Sequence, residues 1–230
     1  MNTQVTNFIE WDVVNWSKAI PFWSENTDLE SNQNNCLELG ARNGGLSLWL
    51  AIKGNKVICS DIVSPKENAS KLHLKHLQHD KIQYQAIDAT NIPYEACFDI
   101  IVFKSILGGI SSENANLKQE TIDEIYKALK PSGKLLFAEN LEASSIHRFF
   151  RKKFIKWGNR WNYLKYDEIS PLFKSFENVK FQTVGFLGAF GRTELQRRIL
   201  GKIDSMIRFL IPKKKRYIVL GVASKADLNN

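Results

Sequence analysis

Two glycines and two carboxylates form the most informative pattern in the chain. Glu38 lies in a short apolar run that Gly40 and Gly44 follow, and Asp61 ends the next apolar run, 21 residues after Gly40. Glycines allow a turn to bring its backbone close to a ligand. A carboxylate at the tip of the adjacent strand can accept hydrogen bonds from the two hydroxyls of a ribose. The spacing therefore predicts a site for a molecule that contains adenosine.

A regular alternation of apolar and amphipathic segments surrounds this pattern. We expect strands at 36–40, 56–60, 82–87, 98–103 and 134–139, and helices at 44–53, 66–79 and 117–130. Nearer the C-terminus we expect a helix near 167–176 and strands near 179–186 and 217–223. Such alternation predicts right-handed crossovers and an α/β, doubly wound, Rossmann-like sheet. Ligands of these sheets bind beyond the carboxyl ends of the strands.

The length and composition fit one globular domain over residues 1–230. The chain is 43% hydrophobic, and it has no apolar run long enough to span a membrane. Residues 1–35 are expected to form a helical lead-in without the pattern of a secretory signal. Cys36, Cys59 and Cys97 have no metal-ligand spacing, so we expect reduced core residues in a cytoplasmic protein.

Charge is divided unevenly along the chain. The net charge is +8, but residues 1–146 carry 13 Lys and Arg against 18 Asp and Glu, whereas residues 147–230 carry 19 against 6. A strongly basic C-terminal part indicates an anionic partner, such as a membrane surface, a phosphorylated substrate or a nucleic acid.

The segment from Glu38 to Gly44 resembles the first motif of the class I S-adenosylmethionine-dependent methyltransferases. The resemblance extends in register from residue 36 to about residue 140. It includes Asp61 after strand two and the Asp88-Ala89 step after strand three. Residues 97–102 are similar to the fourth strand of the family, and residues 129–137 are similar to its turn into strand five. It implies a seven-stranded sheet with an antiparallel last strand. Arg42 stands where the family commonly has a glycine, which affects the expected geometry of the loop.

The resemblance also implies which residues hold the cofactor, S-adenosylmethionine. Residues that match the family motifs are Glu38, Gly40, Gly44, Asp61, Ile62, Asp88 and Ala89. Lys104 follows the fourth strand and is expected to border both the methionine end of the cofactor and the acceptor.

Two other kinds of site fit the sequence less well. A dinucleotide-binding dehydrogenase requires G-x-G-x-x-G, which the glycines of this loop do not supply. His73, His76 and His79 lie on a predicted helix, where positions six apart point to different sides. We therefore expect a solvated helix face there and no metal site.

Methyl transfer requires little beyond an aligned acceptor, since the sulfonium is already a good leaving group. A hydroxyl acceptor would still benefit from a general base. Glu139 and His147 follow the fifth strand and could face the acceptor. We take His147 as the candidate base, because the pKa of a free histidine lies near neutrality. The alternative is that His147 is a surface residue of a basic helix.

Two basic amphipathic insertions, 146–166 and 193–211, follow strands five and six. If strand six is parallel to its neighbours, both leave the sheet above the cofactor and form a cap over the acceptor. Their apolar stripes could pack on the core, or lie on an anionic membrane and grip a lipid-linked or phosphate-bearing acceptor.

The sequence thus favours methylation, at oxygen, of a small-molecule, glycan or lipid-linked acceptor. A peripheral location on the inner membrane surface is compatible with the basic insertions. An RNA methyltransferase and a non-catalytic membrane- or partner-binding module remain alternatives. Nucleic acid is less favoured, because residues 103–108 lack the (Asp/Asn)-Pro-Pro-aromatic motif of enzymes that methylate base amino groups.

Overall fold

The computed structural model describes residues 3–30, 33–154 and 160–227. Within these residues one sheet of seven strands has the order β3-β2-β1-β4-β5-β7-β6. The strands are β1 Asn35–Leu39, β2 Lys56–Asp61, β3 Ile82–Ala86, β4 Phe98–Lys104, β5 Leu129–Asn140, β6 Asn178–Val184 and β7 Ile218–Ser224. Strand β7 is antiparallel to β5 and β6, whereas β1–β5 pair in parallel. The predicted α/β fold with an antiparallel last strand is confirmed.

Ten α-helices lie in the described part of the chain. They are α1 Thr3–Ile9, α2 Val13–Trp16, α3 Ala19–Asn26, α4 Gly45–Ile52, α5 Lys66–Lys75, α6 Leu107–Ile110, α7 Leu117–Ala128, α8 Ser145–Phe154, α9 Ile169–Leu172 and α10 Glu194–Ile207. Short 3₁₀ turns occur at His79–Lys81, Tyr166–Glu168, Leu187–Phe190, Arg208–Leu210 and Lys213–Lys215.

The direction of β6 decides where the two insertions leave the sheet. Because β7 is antiparallel to both β5 and β6, strand β6 runs in the same direction as β5. The segments after β5 and β6 therefore start at the same edge, where the carboxyl ends of β1–β4 also lie. In the first insertion, residues 155–159 lie outside the described part of the chain.

Two apolar clusters form the core, one on each face of the sheet. One contains Trp16, Trp23 and Trp49 and receives the helical lead-in. The indole N–H of Trp23 donates to the carbonyl of Gly221 at 3.0 Å, which ties α3 to β7. The other cluster contains Phe103 and Phe137, with ring centroids 6.3 Å apart. Most aromatic residues of the helical lead-in thus belong to the core.

Helices α8 and α10 bury their polar sides and expose their apolar sides. In α10 the buried residues are Gly201 and Asp204, and a Cβ on Gly201 would lie 2.9 Å from the Val14 side chain in α2. In α8 the buried residues are His147 and Arg151. The exposed apolar residues are Ile146, Phe149, Phe150 and Phe154 of α8, Leu195, Ile199, Ile203 and Met206 of α10, and Phe209 and Leu210 beyond it. For these residues the expectation that the stripes pack on the core is wrong.

Two expectations about single side chains are also wrong. Cys97 is exposed, whereas Cys36 and Cys59 are buried and burial raises the pKa of both thiols. His73 is buried inside α5 and not solvated, because its ring nitrogens bond the Tyr84 hydroxyl and the Gly44 carbonyl, each at 2.8 Å. Helix periodicity alone could not reveal these partners, which belong to other elements.

In the part of the chain that the structure describes, no helix is long and apolar enough to cross a membrane.

Candidate functional site

A cavity of about 540 Å³ opens at the carboxyl ends of β2 and β3. Its walls include Asp61 and Ile62 after β2, and Asp88 and Ala89 after β3. The remaining lining residues are Gly40, Arg42, Ile87, Thr90, Ser105, Ile106, Gly109, Ile110 and Leu117. This lining combines apolar side chains with a few polar groups and with carboxylates at its edge, as an adenosine site requires.

A second cavity of about 710 Å³ adjoins the first and shares Gly40, Arg42 and Ser105 with it. The lead-in contributes Phe8, Glu10 and Trp11, and the two insertions contribute Trp161 and Arg197. The other lining residues are Glu38, Ala41, Asn43, Gly45, Leu46, Lys104 and Asn140. No sequence motif indicated that Ser105 and Asn140 would line this cavity.

The Asp61 carboxylate is held at the boundary of the first cavity by backbone donors. Its Oδ2 accepts the N–H of Arg42 at 2.9 Å, and its Oδ1 accepts the N–H of Ile62 at 2.8 Å. A carboxylate has about four acceptor positions, so capacity remains for two hydroxyl groups. Asp88 is fixed similarly, since its Oδ1 accepts both the N–H and the hydroxyl of Thr90.

The loop after β1 accommodates both Gly40 and Arg42. Gly40 has φ +64°, and a Cβ there would lie 2.4 Å from Cγ2 of Ile106. Arg42 also adopts a positive φ of 53°. Its side chain turns outward, with NH1 3.5 Å from Glu10 and the guanidinium carbon 5.2 Å from the Trp11 ring centroid. Arg42 therefore leaves the loop open.

Gly44 lies outside the linings of both cavities. It caps α4 with φ +73°, and a Cβ there would lie 2.6 Å from the His73 ring. This arrangement corrects the expectation that Gly44 touches the cofactor. Its contribution is to allow α4 to start close to α5.

Glu38 joins the loop to the start of α4. Its carboxylate accepts the N–H of Leu46 at 3.3 Å, the N–H of Ser47 at 2.7 Å and the Ser47 hydroxyl. Burial raises the pKa of Glu38 to about 7 despite these donors. Glu38 thus orients the helix whose N-terminal end faces the second cavity, and it also forms part of the wall.

Lys104 is the basic group of the second cavity that comes from the sheet. Its Nζ donates to the Ile9 carbonyl at 2.6 Å and lies 3.1 Å from the Trp11 ring centroid. Burial lowers the pKa of Lys104 to about 7. The amine can therefore exist in both protonation states near neutral pH.

His147 lies in a different place from the one expected. It is buried, its Nδ1 bonds the Ser144 hydroxyl at 2.7 Å, and its Nε2 bonds the Phe186 carbonyl at 2.9 Å. Burial lowers its pKa to about 4. It lines a third cavity and not the one beside Lys104. The assignment as the base is therefore corrected, and so is the alternative of a surface residue.

Glu139 is also turned away from the second cavity. Its carboxylate oxygens accept the N–H groups of Leu107 at 2.8 Å and Asn140 at 2.7 Å. Burial raises the pKa of Glu139 to about 7. It fixes α6 against β5 and is replaced in the wall by its neighbour Asn140. Among the described residues, no group of three or more His, Cys, Asp or Glu side chains could hold a metal ion.

A family model described as a methyltransferase domain matches residues 37–137. The phosphoethanolamine N-methyltransferase 2 of Haemonchus contortus, solved with S-adenosylmethionine, is 16% identical with a TM-score of 0.65, over 92% of this chain and 53% of that one. The chain thus spans about half of that enzyme. A putative methyltransferase of Bacillus halodurans is 15% identical with a TM-score of 0.60, over 91% and 98% of the two chains.

A third similar structure is the 1,6-didemethyltoxoflavin-N1-methyltransferase of Burkholderia thailandensis, with 1,6-didemethyltoxoflavin and S-adenosylhomocysteine bound. It is 16% identical with a TM-score of 0.60, over 92% of this chain and 77% of that one. No curated protein matches the chain with significance. Residues 37–137 thus match a methyltransferase domain, and the chain shares the fold of these solved methyltransferases, with two adjoining cavities at the strand ends.

Proposed function

We propose that the two adjoining cavities hold S-adenosylmethionine and a methyl acceptor side by side. The adenosine part would lie against Asp61, Ile62, Asp88 and Ala89. The methionine part would lie near Gly40, with Glu38 and Lys104 at the far wall. One observation carries this proposal: the cavities meet at Gly40 and Ser105, at the carboxyl ends of β1 and β4, where ligands of such sheets bind.

The acceptor would enter the second cavity. This cavity has the sheet on one side and residues of the lead-in and the two insertions on the other. Trp11 and Trp161 offer flat apolar surfaces there, while Lys104 and Arg197 offer positive charge. This combination suits a small-molecule, glycan or lipid-linked acceptor that carries an anionic group. We favour an acceptor with a hydroxyl group, because a neutral Lys104 amine could accept its proton.

When bound, the cofactor supplies a methyl group on a sulfonium, which leaves as a thioether. The residues of this chain would orient the acceptor in line and exclude water. The acceptor oxygen would take the methyl group, and the thioether would be the leaving group. The hydroxyl proton would pass to Nζ of Lys104.

The test is the pH dependence of methyl transfer by the intact chain and by Lys104→Met. With labelled S-adenosylmethionine and glycolipid or quinone extracts, we expect the rate to rise with pH through about 7. The variant should be slower by about 100-fold or more and should lose that rise. Lys127→Met, on the exposed side of α7, is the matched control. A variant with the rate and pH profile of the intact chain would contradict the role of Lys104.

We also propose that the enzyme works at an anionic membrane surface. The support is the outward apolar side of α10, where Met206 is 75% exposed, and of the following turn, where Phe209 is 82% exposed. Arg198 and Lys202 are exposed along the same helix. A helix with an apolar side and flanking cations lies in the interface of an anionic bilayer.

A further inference from the structure

The third cavity, of about 420 Å³, lies between α8 and the segment 189–192. Its lining residues are His147, Phe150, Arg151, Phe154, Ala189, Phe190, Gly191, Arg192 and Arg197. Three of these are arginines and none is acidic. A pocket that combines guanidinium groups with aromatic rings is suited to an anion that carries an apolar group.

The arginines are held in place by contacts that use only part of their hydrogen-bonding capacity. Arg151 donates from NH1 to the carbonyls of Leu141 and Glu142, at 2.7 and 3.2 Å, and its guanidinium carbon lies 3.9 Å from the Tyr163 ring centroid. A guanidinium has five N–H donors, so the contacts with described residues leave donors on its other nitrogens. Arg151 is also buried, so its guanidinium is held in a fixed position beside the cavity.

In the described part of the chain, the two other arginines also keep donors for a ligand. Arg197 donates from Nε to the Gly191 carbonyl at 3.1 Å, and its NH1 lies 3.7 Å from a Glu194 oxygen. The guanidinium carbon of Arg192 lies 4.7 Å from the Phe154 ring centroid. Stacking of this kind orients the planar donor group without using its hydrogen bonds.

The remaining wall is aromatic. The Phe150 ring centroid lies 5.4 Å from that of Phe154 and 5.0 Å from that of Phe190. The His147 ring stacks on Phe190 at 4.7 Å. Both His147 nitrogens are already bonded, so the imidazole contributes a flat neutral surface. An apolar chain or ring could contact this wall while an anionic group meets the arginines.

Arg197 lines both the third cavity and the second cavity, which contains Lys104. We propose that the third cavity binds the phosphate and the adjoining apolar part of the acceptor, which is therefore an amphipathic phosphate ester. This inference rests on the proposed function, because it extends the acceptor from the methyl-transfer cavity across Arg197. Phe150 and Phe154 in its wall are exposed apolar residues, so such an ester could be drawn from a lipid surface.

Calorimetric titration with octyl phosphate, inorganic phosphate and octyl glucoside tests the inference. We expect octyl phosphate to bind best, and Arg192→Gln to weaken it about tenfold, as for a lost hydrogen bond to a charged group. Phe154→Ala should weaken octyl phosphate binding and leave inorganic phosphate binding unchanged. Arg198→Gln, one position beyond the lining residue Arg197, should have no effect on either.

Three outcomes would overturn the inference. One is that octyl phosphate does not bind, and another is that Arg192→Gln binds it as tightly as the intact chain. The third is that inorganic phosphate binds as well as octyl phosphate, which would indicate a site for the free anion without an apolar part. The same samples are titrated with S-adenosylmethionine. Normal cofactor binding without octyl phosphate binding would defeat this inference alone, whereas absent cofactor binding would defeat the proposed function.

Discussion

At the scale of single residues, burial gives similar acidic side chains different tasks. Asp61 stays at the cavity edge with backbone donors on both oxygens. Glu38 and Glu139 are buried, and burial raises the pKa of each to about 7. These two carboxyls fix helices and strands to one another, while Asp61 keeps capacity for a ligand. Sequence patterns singled out these three acidic residues as candidates for the site. They could not show which of them are buried, because burial depends on contacts with residues distant in the chain.

Asp12 is a further buried carboxyl, and it links the lead-in to the second insertion. Its side chain bonds the Tyr217 hydroxyl, while its N–H donates to Glu194 at 2.9 Å. Burial raises the pKa of Asp12 to about 7. The folded state therefore keeps the proton to a higher pH than the unfolded state does. The stability that this group contributes is present at low pH and falls as the pH rises toward 7.

We predict that Asp12→Asn removes this pH dependence. The amide stays neutral, so the variant should gain stability relative to the intact chain between pH 5 and pH 8. The gain should be at least about 1 kcal/mol, since one unit of pKa shift corresponds to about 1.4 kcal/mol. Urea denaturation at the two pH values measures it. A difference in unfolding free energy that is the same at both pH values would show that Asp12 does not titrate in this range.

At the scale of elements, the junction of β1 and α4 depends on Gly44. Replacement by Ala would meet both a positive φ and the His73 ring, 2.6 Å from the new Cβ. Gly54 has a positive φ of 99° but nothing within 4 Å of an added Cβ. Alanine at Gly54 would therefore test backbone strain alone, whereas alanine at Gly44 would test backbone strain together with steric overlap.

We predict that Gly44→Ala lowers the unfolding free energy by about 2–4 kcal/mol and Gly54→Ala by about 1–2 kcal/mol. Thermal and urea denaturation of both variants provide the comparison. Equal losses would mean that the His73 ring moves aside without cost and that α4 does not rely on this contact.

Most strands were predicted from the sequence within two residues of their ends, although β5 begins at Leu129, five residues before the predicted strand 134–139. The predicted strand 98–103 corresponds to β4, Phe98–Lys104, because a continuous apolar run is distinctive. The helix expected at 66–79 ends at Lys75, and Leu77 beyond it adopts a positive φ of 55°. The segment 167–176 contains only a 3₁₀ turn and the short α9. Helix ends depend on local turns that apolar spacing does not encode.

The orientation of α10 shows a second limit of prediction. Its spacing correctly predicts an amphipathic helix, but spacing cannot say which side has a partner. The partner is α2, which is distant in sequence and approaches the backbone of Gly201 closely. Asp204 then accepts the N–H groups of Leu187 and Gly188 at 2.6 and 2.9 Å. Tertiary hydrogen bonds thus fix the polar side inward.

At the scale of the whole molecule, the uneven distribution of charge matches the proposed separation of cofactor binding from surface recognition. The acidic N-terminal part supplies the strands and loops around the proposed cofactor site. The basic C-terminal part supplies both insertions, the third cavity and the exposed apolar residues. Cofactor binding and surface recognition are therefore expected to respond to different substitutions.

We predict that Met206→Glu reduces sedimentation with vesicles of anionic phosphatidylglycerol by about tenfold. The reason is that a charge would replace an apolar side chain that inserts into the bilayer interface. Neutral phosphatidylcholine vesicles should bind the intact chain weakly. Leu74→Glu, on the exposed side of α5, is the matched control. Equal sedimentation of Met206→Glu and the intact chain would contradict the membrane surface. Salt-dependent retention of RNA that Met206→Glu does not alter would favour the nucleic-acid alternative.

The most direct measurement is calorimetric titration of the intact chain and Asp61→Ala with S-adenosylmethionine and S-adenosylhomocysteine. We expect both ligands to bind the intact chain, and Asp61→Ala to raise Kd about tenfold or more, as for a lost hydrogen bond to a charged group. Asp123→Ala, an exposed carboxylate of α7, should bind like the intact chain. Unchanged affinity in Asp61→Ala, or no binding by the intact chain, would contradict a cofactor site at the carboxyl ends of β1 and β2.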